Sequence, residues 1–149
     1  MKRIIRYTIA LALVIAMVSC GSDLDSEDPE VPSSLETVIG TVSMEILYPA
    51  EAGFENIIDA KADIYEDADT VLDALKAYAA ENDLAVVVEN GIYTYVTGIG
   101  GISEKDFGNN TGWVFTVNNE MVMEGADTCT LSDGDMVSWQ YVDYSDTSI

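Results

Sequence analysis

Apolar side chains take every second position between Val38 and Tyr48: Val38, Val42, Met44, Ile46 and Tyr48, with Gly40 in step and Thr41, Ser43 and Glu45 between them. Alternation of period two puts successive side chains on opposite faces of an extended chain, so this segment predicts a strand with one buried face. Pro49 ends it, and 57–65 repeats the pattern with Ala60, Ala62 and Ile64 on one side. The period then changes. Val71, Leu72, Leu75, Tyr78 and Ala79 form a stripe at helical spacing, predicting a helix that starts from Asp69 or Thr70 and runs to about Glu81. Thr70 with Asp73 makes an imperfect capping box, since Glu or Gln is the better third partner. So short a helix is marginal alone and must lean on a sheet.

Strands return after it. Segments 84–89 and 92–97 flank Asn90-Gly91, a strong hairpin signal. Gly98, Gly100 and Gly101 interrupt the pattern, and 103–111 reads as a polar loop. Trp113, Phe115 and Val117 alternate with Val114 and Thr116; Asn118-Asn119 turns the chain, and Met121 and Met123 begin a return strand. Asp133-Gly134 marks a last turn before 136–142, where Val137, Trp139 and Tyr141 share a face. No repeat of solenoid length is visible. The expected fold is α+β and β-grasp-like: one helix packed on a mixed or antiparallel sheet of five to seven strands over 37–144, followed by a tail at 145–149. A domain of this size buries roughly two-thirds of its unfolded surface and needs no metal or disulfide.

The first residues predict where the chain works. Lys2, Arg3 and Arg6 precede an apolar run from Tyr7 to Val18, too short for a permanent span and laid out like a secretory signal over 1–19. Met17-Val18-Ser19-Cys20 resembles a bacterial lipobox, which implies cleavage before Cys20, lipidation of its thiol and an extracytoplasmic, membrane-anchored protein. Residues 20–36 then form an acidic tether, with Pro29 and Pro32 and little to bury. Asp23, Asp25 and Glu27 lack the glycine and turn of a calcium loop.

Charge and composition exclude several functions. Beyond Cys20, three lysines and no arginine stand against 27 acidic side chains, so there is no basic footprint for nucleic acid. The chain has no histidine, which removes every His-based catalytic or metal-binding scheme. Cys129 has no basic neighbour in sequence and reads as a small buried hydrophobe. Asp133 and Asp135 read as turn residues, and the acidic run from Glu51 to Asp69 shows no metal-ligand spacing. No acid–base–nucleophile set is visible, so the expectation is a binding protein, not an enzyme, with no metal or cofactor.

Taken in order, Thr70-Val71-Leu72-Asp73-Ala74-Leu75, Tyr93-Thr94-Tyr95-Val96-Thr97-Gly98-Ile99-Gly100-Gly101-Ile102, Gly112-Trp113-Val114-Phe115-Thr116-Val117-Asn118-Asn119 and Leu131-Ser132-Asp133-Gly134-Asp135-Met136-Val137 resemble the transcobalamin C-terminal-like domain family. The resemblance covers about 37–142. It implies a ligand-binding module whose contacts come from Tyr95, Thr97 and Gly98 before the glycine-rich loop, and from Trp113 and Phe115 on the strand after it. Cobalamin, or another corrinoid, is the implied ligand. The helical barrel that supplies the other wall in the B12 carriers has no counterpart here, so an envelope partner is expected to complete the pocket. From the residues themselves, Trp139 reads as core or sheet surface, and Trp113 stands evenly between core and site. The second function class is a structural or protein–protein interaction domain with no small ligand, using a strand edge or an aromatic patch.

Overall fold

A computed structural model describes residues 37–91 and 94–145 of the chain. The predicted signal, the lipidated Cys20, the acidic tether and the last four residues of the tail lie outside the described residues.

Among the described residues, eight strands and one α-helix follow in the order β1 (Val38–Leu47), β2 (Ile57–Tyr65), α1 (Val71–Glu81), β3 (Val86–Asn90), β4 (Thr94–Ile99), β5 (Ile102–Ser103), β6 (Thr111–Val117), β7 (Glu120–Met121) and β8 (Met136–Asp143). The α+β expectation stands, but the strands divide between two sheets. One has five strands in the order β2-β1-β8-β6-β7, and the other has three in the order β3-β4-β5. The larger sheet is mixed: β1 runs parallel to β8, and every other pair is antiparallel.

Two glycines account for the division. Gly100 and Gly101 adopt φ of 62° and 89°, a left-handed turn that sends the chain straight back so that β5 pairs with β4. The hairpin of β3 and β4 is thereby closed by β5 and does not extend the larger sheet. Trp113 on β6 instead reaches across to β5, its Nε1 donating to the Ile102 carbonyl at 3.0 Å. Two further boundaries differ from expectation. Residue 111 begins β6, and the return strand after Asn118-Asn119 stops at Met121, so Met123 lies outside the ladder.

The helix forms where its stripe predicted. Thr70 Oγ1 accepts from Asp73 N–H while Asp73 Oδ2 accepts from Thr70 N–H, so the box closes with Asp at its third position. The next free amides are also satisfied: Val71 N–H donates to the Cys129 carbonyl at 3.0 Å and Leu72 N–H to the Ala126 carbonyl at 2.8 Å. These bonds fasten the loop after β7 to the start of the helix.

Val71, Leu72, Ala74, Leu75 and Ala79 turn inward, and α1 packs chiefly on β2. All of these except Ala79 share one core cluster with Val42, Met44 and Ile46 of β1, Ala60, Ala62 and Ile64 of β2, and Val137 and Trp139 of β8. Cys129 belongs to this core as a free thiol. All core side chains fall within residues 34–149, which form one compact unit with both sheets and the helix.

Candidate functional site

The site lies where β4 meets β6. Thr94, Tyr95 and Val96 of β4, Trp113, Val114 and Phe115 of β6, Trp139 of β8, and 121–126 after the turn line an open hollow of about 430 Å³. Along β4 the side chains alternate in exposure: Tyr95 projects outward and is 62 % exposed, while Val96 is buried in the core. From β6, Trp113 faces Tyr141 across the ladder and Phe115 faces Trp139. The last side of the hollow is the segment that runs from β7 to the start of α1, with Met121 and Met123 exposed beside Glu124.

Rigid aromatic packing holds the floor. Trp113 sits edge-on to Tyr48 at 5.7 Å and to Tyr141 at 5.3 Å, and those rings in turn meet Phe54 and Phe107. Edge-to-face pairs of this kind fix ring orientation beyond simple burial. Phe115 lies 5.2 Å from Trp139 in a tilted pair. Burial, and then the Tyr78 phenol, push the Tyr48 hydroxyl above the ordinary tyrosine pKa, so it stays neutral behind Trp113.

The two tryptophans differ in one respect. Both are buried and both line the hollow, at 5 % exposure for Trp113 and 2 % for Trp139. The Trp113 indole N–H is paired with Ile102, whereas Trp139 Nε1 is buried and has no hydrogen-bond partner among the described residues. The lining carries one carboxylate, Glu124, and no lysine, arginine or thiol. Chemically its aromatic and methionine side chains can cover an apolar surface. Among the described residues, no group of three or more Cys, Asp or Glu is placed to hold a metal ion.

Of the five residues singled out for ligand contact, the hollow brings together Tyr95, Trp113 and Phe115. Thr97 and Gly98 lie elsewhere. Thr97 is 7 % exposed and its hydroxyl is directed to the Val87 carbonyl at 3.4 Å. A Cβ on Gly98 would sit 3.2 Å from Val87 Cβ, so this glycine lets β3 and β4 close on each other. Gly100 has the same kind of role, since a Cβ there would collide with the Tyr48 hydroxyl. Sequence reasoning missed Trp139, Met121, Met123 and Glu124 as lining. The period-two match of Phe115 and Trp139 across a turn was the available signal, but it reads equally well as core.

The family described as a domain of unknown function, DUF4430, matches residues 68–143, just over half of the chain. The chain belongs to the DUF4430 family. Every residue lining the hollow falls within the DUF4430 match. Among solved structures, haptocorrin in complex with Cbi is similar over 70 % of this chain, with a TM-score of 0.60 and 16 % identity. The similarity covers 25 % of the haptocorrin chain, so this protein spans about a quarter of that length. A protein of Ruminococcus gnavus ATCC 29149, described as a candidate metal-binding protein, is similar over 70 % of this chain and 97 % of its own, with a TM-score of 0.53 and 20 % identity. At these identities the likeness is one of fold, and it agrees with the transcobalamin C-terminal-like resemblance read from the sequence. No curated protein matches the sequence.

Proposed function

We propose that this DUF4430 domain is a ligand-binding module held at the cell envelope by a lipid on Cys20, and that it captures cobalamin or a related corrinoid together with a partner protein. The observation that carries the reading is the hollow between β4 and β6: an aromatic floor at Trp113, Phe115 and Trp139, a rim of Tyr95 and two exposed methionines, and one open side. Open, mostly apolar hollows with a few polar groups are the usual form of a small-molecule site. The fold shared with haptocorrin, which was solved with Cbi, supports a corrinoid as the occupant. The open side supports a partner as the second wall. The same reading takes the architecture as β-grasp-like, supported by helix α1 laid on a mixed sheet.

The test is a titration of residues 34–149 with a corrinoid, followed in its visible absorption and by calorimetry. The expected result is saturable binding that weakens in Tyr95→Ala and Met123→Ala and is kept in Ile58→Ala, an exposed residue of β2 outside the lining. No saturation up to about 1 mM, equivalent to roughly −4.1 kcal/mol, overturns capture by this domain alone. Incorporation of labelled palmitate into the full chain, lost in Cys20→Ser, tests the anchor.

A further inference from the structure

A strand edge with unpaired main-chain groups faces the hollow. Asn118 N–H donates to the Met136 carbonyl and Tyr144 N–H to the Asn110 carbonyl, and between these bonds the register of β6 on β8 holds without a shift. Even-numbered residues of β6 therefore turn their main-chain groups to β8, while Thr111, Trp113, Phe115 and Val117 turn theirs to the opposite edge. The two ends of that edge are occupied. The Thr111 carbonyl accepts from Lys105 N–H at 2.9 Å, and Val117 pairs with Glu120 of β7. Between them the Trp113 carbonyl meets the Tyr144 hydroxyl at 3.5 Å. No described residue bonds the Trp113 N–H or either main-chain group of Phe115. The gap exists because the chain leaves the ladder after Met121, and 121–126 lines another side of the hollow. Val114, whose side chain leaves the sheet on the other face from Trp113 and Phe115, lines the hollow with them, so the space lies against the edge of the strand.

A second open edge borders the same space. Glu104 N–H donates to the Thr97 carbonyl at 2.8 Å, so Tyr95, two residues earlier on β4, turns its main-chain groups to that side as well. There β5 pairs with β4 at Gly98 and Ile99 and leaves Tyr95 without a strand neighbour. We propose that an extended, lysine- or arginine-bearing segment of a partner protein adds to β6 in the hollow, exchanging main-chain bonds with Trp113 and Phe115 and passing beside Tyr95. Strand addition satisfies such edge groups in register and places alternate side chains of the segment on the aromatic floor. The segment's charge follows from the rim. Glu124 is in the lining, Glu120 adjoins Met121, and Glu89 stands opposite Tyr95 in the β3–β4 register. Glu104 and Tyr95 both act on the Tyr144 phenol, which places a fourth carboxylate at this end. Of the three lysines among the described residues, Lys61 is on β2, Lys76 is on α1, and Lys105 is held by Glu104 at 2.7 Å. A basic segment is drawn to this rim and an acidic one is repelled. The contact is additional to corrinoid capture and does not rest on it.

Three peptides separate main-chain pairing from charge: acetyl-Lys-Val-Lys-Val-Lys-amide, the same peptide N-methylated at its three interior residues, and acetyl-Glu-Val-Glu-Val-Glu-amide. Each is titrated into ¹⁵N-labelled residues 34–149 without corrinoid, and backbone amide signals are followed. The expected result is saturable binding of the basic peptide that moves the Phe115 and Trp113 amide protons downfield and slows their exchange with water. The N-methylated peptide binds about tenfold more weakly, the scale of one or two lost hydrogen bonds. The acidic peptide binds more weakly still, and added salt weakens the basic one. Equal binding of the methylated and unmethylated peptides overturns strand addition. Equal binding of the acidic and basic peptides overturns the charge selection. Changes confined to β2 or β3, the outer strands of the two sheets, with Phe115 and Trp113 unmoved, overturn the location. No binding of the basic peptide up to about 1 mM overturns the proposal outright. None of these outcomes bears on the corrinoid titration, which uses no peptide.

Discussion

The Thr41 backbone N–H donates to Asp133 Oδ1 at 2.9 Å, joining positions 92 residues apart in the chain. Gly134 N–H donates to the Thr41 carbonyl and Ser43 N–H to the Asp135 carbonyl, so the turn before β8 is bound along the beginning of β1. This clasp sets the parallel register of Ser43 against Met136. It also explains Gly40, where a Cβ would lie 2.8 Å from Asp133 Cβ. Asp133→Ala is expected to lower the stability of residues 34–149 by about 1 kcal/mol, the scale of one hydrogen bond at an exposed site. Gly40→Ala should cost about 1–3 kcal/mol through overpacking. Urea unfolding of the two variants and their double mutant checks both, and the double mutant should cost less than the sum because Gly40→Ala already displaces Asp133 from the Thr41 N–H, so that bond is lost only once.

Gly100→Ala tests the turn that separates the two sheets. The substitution places a side chain at φ 62° and against the Tyr48 hydroxyl. A loss of about 2 kcal/mol or more is expected from strain and collision together. Tyr48→Phe removes the hydroxyl, so the penalty of Gly100→Ala measured in that background should be smaller. An equal penalty in both backgrounds would show that collision with the hydroxyl is not responsible.

The capping box at the start of α1 gives a local prediction. Thr70→Ala removes the acceptor for Asp73 N–H and is expected to cost about 1 kcal/mol, with Thr70→Ser restoring most of it. Because Val71 and Leu72 N–H groups bond the carbonyls at 129 and 126, the same variant should raise amide exchange in 125–129 as well as in the first helical turn. Exchange followed by mass spectrometry distinguishes this from a change confined to the helix.

Alkaline pH should unfold the domain more readily than burial of hydrocarbon alone would suggest. Burial pushes the Cys129 thiol up, and the charges of Glu124 and Asp135 add to it. Partial burial raises Tyr144, with Glu104 a further cause, and Tyr48 is raised in the same direction. Each group is neutral when protonated, and the fold favours that form. Its contribution is fully present below the ordinary thiol and phenol values of 9.0 and 10.0 and is lost as pH rises through the raised folded values. Urea midpoints are thus expected to hold from about pH 7 to 8 and to fall between about pH 9 and 11, with a shallower fall in Tyr144→Phe. Its burial and the same raised pKa predict that Cys129 reacts with a thiol reagent at about pH 8 more slowly in the folded protein than in urea.

Much of the fold was legible because its elements announce themselves in local periods. The alternation in 38–48, the stripe through Val71, Leu72 and Leu75, and the turn at Asp133-Gly134 each depend on neighbours a few residues apart, and each became the element expected. The capping box formed despite its Asp, because Asp73 Oδ2 reaches Thr70 N–H at 3.3 Å. Trp139, read as core or sheet surface, is buried in the core, and Trp113, evenly balanced from the sequence, is both buried and part of the hollow's lining.

The candidate site was legible only in part, for a geometrical reason. Period two says which residues share a face, and it placed Tyr95 with Thr97 and Trp113 with Phe115. It does not say which face another strand will cover. Val87 of β3 closes over Thr97 and Gly98, and this withdraws them from the hollow. Met121 and Met123 joined it because β7 ends after two residues and frees the chain to run back to the helix.

By itself the sequence determined the strand and helix segments, the acidic character and the absence of histidine chemistry, since these depend on side-chain identity and short-range spacing. Tertiary structure alone decided that the strands form two sheets, that β1 lies parallel to β8, and that one indole is satisfied while the other is not. Those outcomes depend on contacts between segments such as Thr41 and Asp133 or Trp113 and Ile102. Such pairings are set by how layers fit together, and no local pattern encodes them.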